Sequence, residues 1–319
     1  MSPEEVEPFL GLWPAAAGRT VTLINVSENH TFRLDRAGEP PVVLRVHRPG
    51  YQSANTILSE LEWLSALRRD TGMPVPQALP GGDGRLVQSV GGAEGERNAV
   101  LFAHVPGREP LPMDDLGDLF ETLGGLAATA HRQASAFRPS PGFERQVWTA
   151  AAILDGRGPW GDWRLAPGAA GPHAAPLERL ARHLHDELDR YGSTPERFGL
   201  IHADMRLANL LVDGDHVTLI DFDDCGFCWF MYDFAAATSF FEDSPAIPEL
   251  RRRWLAGYTR VRPLAPADVD ILDAMVLLRR LALLAFIGSH PETALAATHA
   301  GDFARVTLEL AQPYLARFG

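Results

Sequence analysis

Gly199-Leu-Ile-His-Ala-Asp-Met-Arg-Leu-Ala-Asn-Leu-Leu-Val-Asp-Gly-Asp-His-Val-Thr-Leu-Ile-Asp-Phe-Asp223 is the stretch whose reading decides the fold. It holds two apolar runs, Leu210 to Val212 and Val217 to Ile220, on either side of Asp213-Gly214. Asp-Gly between apolar runs predicts a β-hairpin, because such a tight turn needs residues that accept a positive φ. With residue 213 opposite residue 217, antiparallel pairing sets Asn209 opposite Asp221. An amide oxygen and a carboxylate then meet at the open end of the hairpin, and hard oxygens of this kind suit magnesium. Asp204 lies on the loop that feeds the same end.

Towards the N-terminus, residues 21 to 47 alternate as strands do, with a turn around Ala37 to Pro41. An amphipathic helix is predicted from Ala54 to Arg69, with Ile57, Leu58, Leu61, Leu64 and Leu67 on one stripe. Thr71-Gly72 ends it, and Pro74 and Pro76 prevent its continuation. Two further strand-like runs, Arg85 to Val90 and Ala99 to Val105, complete a small lobe that Pro106-Gly107 closes. Beyond it the pattern is mainly helical, starting with Leu116 to Ala136. Residues 155 to 176, rich in Gly, Pro and Ala, read as a loop or insertion whose Trp160 and Trp163 are expected to be exposed. Helical patterns return over Leu177 to Tyr191 and through most of residues 248 to 319.

The set His202-x-Asp204-x4-Asn209 followed by Asp221-Phe222-Asp223 resembles the catalytic loop and metal-binding segment of the protein-kinase-like fold. The resemblance is greatest to the aminoglycoside phosphotransferase and homoserine kinase type II branch, which also includes bacterial stress-response kinases. It implies an α+β, bilobal fold: a small sheet-plus-helix lobe over residues 1–105 that binds nucleotide, and a large, mainly helical catalytic lobe over residues 106–319. By the same resemblance, Asp204 would accept the proton of the substrate hydroxyl, and Arg206 would stand near the transferred phosphoryl group. Asn209 and Asp221 would hold magnesium, and His202 would order the loop. Asn25 to Thr31 matches the loop that covers the phosphates, with Ser27 and Asn29 as its short polar side chains, although it has no glycine. Arg45 falls where the family commonly has a strand lysine that contacts the α- and β-phosphates, with Glu60 as its ion-pair partner and Glu62 as the competitor. Phe102 to Val105 would hold the adenine edge. Asp233, in Tyr232-Asp-Phe-Ala-Ala, matches a buried aspartate that braces the catalytic loop; a helix N-cap is the rival reading.

Composition narrows the chemistry. The 319 residues carry 29 basic and 41 acidic side chains, a net charge of −12, and every basic residue is arginine. Schiff-base chemistry on lysine is thereby excluded, and nucleic acid and anionic lipid are poor partners for so acidic a chain. Arg251-Arg-Arg-Trp254 therefore reads as a solvated helix face. Cys225 and Cys228, the only cysteines, cannot make a disulfide scaffold or supply the four ligands of a zinc site. The N-terminus lacks a signal-peptide pattern, and the apolar stretch Leu272 to Ile287 is broken by Arg279 and Arg280, which favours a buried helix over a membrane span. A cytoplasmic enzyme is expected.

The leading reading is an ATP- and magnesium-dependent kinase that phosphorylates a hydroxyl of a small, amine-bearing molecule such as an aminoglycoside, an amino alcohol or homoserine. GTP in place of ATP, and the oligomeric state, stay open. Glu242 and Asp243 are candidate amine-binding carboxylates, against a plain reading as solvated acids near a helix end. Two alternatives share the same residues: a Ser/Thr protein kinase of the stress-response type, and a nucleotide-binding regulator with little catalysis. Only 12 positions separate Asp221 from Asp233, which leaves no room for an extended activation segment and favours small acceptors.

Overall fold

A computed structural model describes residues 3–26, 29–92 and 95–318 of the chain. In chain order it runs α1 (Pro3–Leu10), β1 (Thr20–Val26), β2 (Asn29–Arg36), β3 (Glu39–His47), α2 (Ala54–Thr71), β4 (Ala78–Leu79), β5 (Val87–Gly92) and β6 (Gly95–Ala103). Next come α3 (Gly117–Ala136), β7 (Gln146–Val147), α4 (Ala150–Leu154), α5 (Ala174–Tyr191), β8 (Phe198–Ile201), β9 (Leu210–Asp213), β10 (His216–Leu219) and β11 (Gly226–Trp229). Six helices finish the chain: α6 (Tyr232–Ala237), α7 (Ile247–Thr259), α8 (Pro266–Asp270), α9 (Leu272–Ser289), α10 (Ala294–His299) and α11 (Phe303–Leu315). Two compact units emerge, and the first gathers residues 1–108, 138–145 and 211–223.

In the first unit the sheet runs in the order β1-β2-β3-β6-β4, with β5 paired to β6. Period-2 alternation sends Val42, Leu44 and Val46 of β3 into a core with Phe32, Leu34, Leu101 and the α1 residues Val6 and Phe9. The intervening residues Arg45 and His47 consequently share the opposite face. Ser53 caps α2, its hydroxyl accepting from the Thr56 N–H, and Gly72 closes it at φ +67°. The helix buries Ile57, Leu61, Trp63, Leu64 and Leu67, whereas Leu58, expected on that stripe, is exposed. Position 58 immediately follows Ile57, so a 100° rotation carries it off the buried face. β9 and β10 form the predicted hairpin, Gly214 taking φ +58° in the turn.

The second unit holds residues 109–137, 146–210 and 224–319. Its axis is α9, which buries side chains all round, Arg279 and Arg280 among them. No helix among the described residues is long and apolar enough to cross a membrane. α3 and α7 pack with Gly124 against Trp254 and Gly257 against Glu121, where a Cβ at either glycine would run into the opposing backbone. The segment 155–176 departs from expectation: Trp160 and Trp163 are both buried. Trp160 meets Trp148 and Phe286 edge-on, and Trp163 donates its indole N–H to the Leu154 carbonyl, so the segment is packing material on α9.

Candidate active site

In the first unit, three side chains of β2 and β3 meet the residues that follow β10. Arg45 donates Nη2 to Glu60 Oε2 at 2.6 Å and approaches Asp221 Oδ1 with Nη1 at 3.5 Å. Its guanidinium carbon lies 5.1 Å from the centroid of the Phe102 ring. Glu62, the competing partner, instead accepts from the backbone and hydroxyl of Ser140. Burial works against the Arg45 charge, but Glu60, Asp223 and Asp221 outweigh it and keep the guanidinium protonated. Asp221 adopts φ +58°, a conformation few non-glycine residues take; its side chain is 35% exposed, with Oδ1 buried beneath it.

Phe222 points the other way, its ring edge-on to Trp63 at 5.6 Å. Asp223 is buried: Asn29 Nδ2 donates to its Oδ2 at 3.0 Å, and its backbone carbonyl accepts from Gln52 and from Arg145. Burial raises the Asp223 carboxyl, but Arg45, Arg145 and the Asn29 amide overcome that and hold it below the usual carboxylate range. His47, 3.8 Å from Asp223 Oδ1, is pushed down to about 3 by burial and by the Arg45 charge, so its imidazole is neutral. Val105 sits half-buried just past β6, and Ser27 lies outside the described residues.

In the second unit, β8 leads into the loop His202 to Arg206. Asp233, on the first turn of α6, accepts the N–H groups of His202 at 3.3 Å and Ala203 at 2.8 Å and pairs with His131 Nε2 at 2.9 Å. It follows the N-cap residue Met231 by two positions, so the bracing reading describes its contacts and the N-cap reading does not. The brace holds Ala203 at φ +65°. His202 is fully buried and accepts the Asp204 N–H on Nδ1 at 3.3 Å. Asp204 receives Asn209 Nδ2 on Oδ2 at 2.7 Å, Arg206 Nε on the same oxygen at 3.2 Å, and Arg279 Nη2 on Oδ1. Burial lifts its carboxyl, but Arg279 and Arg206 hold it below the ordinary value.

Each unit offers oxygen atoms of the kind a hard divalent cation takes. Asn209 gives its amide nitrogen to the Asp204 carbonyl and carboxylate, so the atom it offers a metal is its oxygen. Asp221, in the first unit, offers a carboxylate whose Oδ1 is buried in a side chain that is 35% exposed. Among the described residues no group of three or more His, Cys, Asp or Glu side chains is arranged to hold a metal alone.

Residues 20–264 match the phosphotransferase enzyme family, APH. The chain belongs to that family. The phosphotransferase is 41% identical to a microcompartment-associated aminopropanol kinase of known structure, over 99% of this chain and 98% of that one, with a TM-score of 0.91. It is 25% identical over 266 residues to the amicoumacin kinase of Bacillus subtilis (strain 168), covering 80% of this chain and 76% of that protein. An amicoumacin kinase solved in complex with AMP-PNP, Ca2+ and Ami shares the fold, with 19% identity, a TM-score of 0.79 and coverage of 97% and 94%. The protein is thus an ATP-dependent phosphotransferase of protein-kinase-like fold that acts on a small-molecule hydroxyl.

Sequence reasoning passed over three residues of the phosphotransferase. Arg145 and His131 carried no local signal, since each acts through a partner roughly 80 to 100 positions away. Arg279 did carry one, a charge inside an apolar run, and it had served only to reject a membrane span. Glu242 departs from its plain reading: it is buried and binds Arg280 Nη1 at 2.7 Å, while Asp243 is exposed. Both cysteines are buried, and burial pushes the Cys228 thiol up, away from redox or metal chemistry.

Proposed function

We propose that the enzyme transfers the γ-phosphoryl group of MgATP to the hydroxyl of a small amino alcohol of the aminopropanol type. The observation that carries this is the 41% identity to an aminopropanol kinase along 99% of the chain. The charge of −12 agrees with a cationic acceptor, which such a chain attracts.

In this reading Asp204 accepts the hydroxyl proton, and Arg206, whose Nε lies 3.2 Å from its Oδ2, faces the charge of the transferred group. Asn209 and Asp221 are the metal ligands. Magnesium bound there would neutralise the phosphate oxygens and favour in-line transfer. Arg45 supplies the cation for the α- and β-phosphates, with Glu60 fixing its fork. Asn29, at the start of β2, and Ser27, two positions before it in sequence, are assigned to the phosphates, and Phe102 and Val105 to the adenine. This chemistry needs placement and charge neutralisation and no covalent intermediate, which agrees with a site free of a nucleophilic cysteine or lysine.

The test is a kinetic panel with MgATP and both aminopropanol isomers, ethanolamine, homoserine, an aminoglycoside and a generic protein, read by ADP release and phosphorylated product. The highest kcat/KM should fall on an amino alcohol. A preference for the aminoglycoside or the protein, or ATP binding without any transfer, would refute the proposal.

A further inference from the structure

A charged residue inside an apolar helix needs a reason, because a buried ion pair contributes little net stability and an apolar residue of similar size would serve α9 as well. Arg279 is 1% exposed and uses each of its nitrogens. Nε donates to Ser239 Oγ at 3.0 Å, Nη1 to the Ala203 carbonyl at 3.2 Å, and Nη2 to Asp204 Oδ1. Its guanidinium carbon lies 5.1 Å from the Trp160 ring centroid and 5.8 Å from that of Tyr232. One side chain therefore grips two successive residues of the catalytic loop, and two aromatic rings grip that side chain.

The lone-pair count at Asp204 gives this arrangement a chemical meaning. An ionised carboxylate has roughly four acceptor positions, two on each oxygen. Asn209 and Arg206 take both on Oδ2, and Arg279 takes one on Oδ1. The position left for an acceptor hydroxyl is the second one on Oδ1, beside Arg279. Asp233 holds the same loop by its N–H groups, at His202 and Ala203, so the two grips are complementary: backbone donors on one side, a backbone carbonyl and the working carboxylate on the other.

We infer that Arg279 is a positioning residue, which turns Oδ1 of Asp204 to the acceptor hydroxyl and is itself held by Trp160 of the 155–176 segment. The inference rests on Asp204 being the proton acceptor. It makes that buried segment a contributor to turnover through Arg279, in addition to its packing on α9.

Steady-state kinetics of Arg279→Ala, Arg279→Lys and Trp160→Leu test it, with whichever hydroxyl acceptor the wild type turns over fastest. Should that acceptor not be an amino alcohol, the proposed substrate class fails while the comparison of variants stands. Arg279→Ala should lose about 10²-fold or more in kcat, the scale expected from misplacing a reacting group by about 1 Å, with the nucleotide KM within about twofold. Guanidinium at millimolar concentration should restore part of the loss, and urea at the same concentration should not. Arg279→Lys keeps the charge without the fork and should fall between the two. Trp160→Leu should lower kcat in the wild type and add nothing in the Arg279→Ala background, because it acts through the missing side chain. If Arg279→Ala does not fold, the lysine variant decides: a kcat at least tenfold down with unchanged melting temperature and nucleotide KM supports the inference. A folded variant of either kind with kcat within threefold of wild type, or an alanine variant on which guanidinium and urea act alike, overturns it.

Discussion

Asp233→Ala should damage folding and turnover together, and the size of the damage follows from its contacts. The carboxylate is fully buried and satisfies three donors: the His202 N–H at 3.3 Å, the Ala203 N–H at 2.8 Å and His131 Nε2 at 2.9 Å. Burial holds the His131 ring below its usual pKa, against the pull of Asp233. Each buried donor left without an acceptor costs about 1–3 kcal/mol, so the alanine variant should lose roughly 3–9 kcal/mol. A domain has only about 5–15 kcal/mol to lose. Asp233→Asn is the gentler probe. Its amide oxygen can serve one side, but its NH2 then faces an N–H donor, at about 1–3 kcal/mol. Ala203, kept at φ +65° by this brace, would relax and carry Asp204 with it. Urea denaturation at pH 7 gives the stability change, and phosphotransfer kinetics give the functional one. An Asp233→Asn protein within about 0.5 kcal/mol of wild type and equally active would refute the bracing argument.

Three further outcomes follow from the first unit. Arg45→Ala should cost about 3–5 kcal/mol, since it strands Glu60 as a buried unpaired charge; Arg45→Lys should keep much of the stability, and denaturation curves that coincide for both would refute the pair's role. Asp221→Ala should weaken nucleotide binding more than about tenfold in calorimetry with magnesium and little without it; equal affinities would remove Asp221 from the metal site. His47 titrates at about 3 when folded against 6.5 unfolded, so the unfolded chain takes up the proton first as pH falls. The stability it contributes is complete above about pH 6.5 and lost below it, by about 2 kcal/mol between pH 6.5 and 5. His47→Gln should flatten that part of the stability profile, and an unchanged slope would contradict a neutral buried imidazole.

How much of this was legible in the sequence depends on the range of each interaction. The hairpin was legible because Asp213-Gly214 and its flanking apolar runs specify a turn locally. Glu60 faces Arg45 because a helix following a strand presents one stripe to it, and Glu62, two positions on, points elsewhere to Ser140. The burial of Trp160 and Trp163 was not legible: a Gly- and Pro-rich segment reads as surface, and only the packing of α9 shows that two indoles are covered. The partners of Arg279 and Glu242 were hidden for the same reason, Asp204 and Arg280 lying 75 and 38 positions away. Residues 138–145 and 211–223 belong with the first unit through contacts that no local pattern encodes.

The central claim is most directly tested by phosphorus NMR of the enzyme with ATP, magnesium and aminopropanol. The account predicts a phosphomonoester resonance that grows in step with ADP in the wild type and is absent with Asp204→Ala, whose magnesium-nucleotide affinity stays within a few-fold of wild type. ADP accompanied only by inorganic phosphate, or an Asp204→Ala enzyme that makes the ester at the wild-type rate, would contradict it.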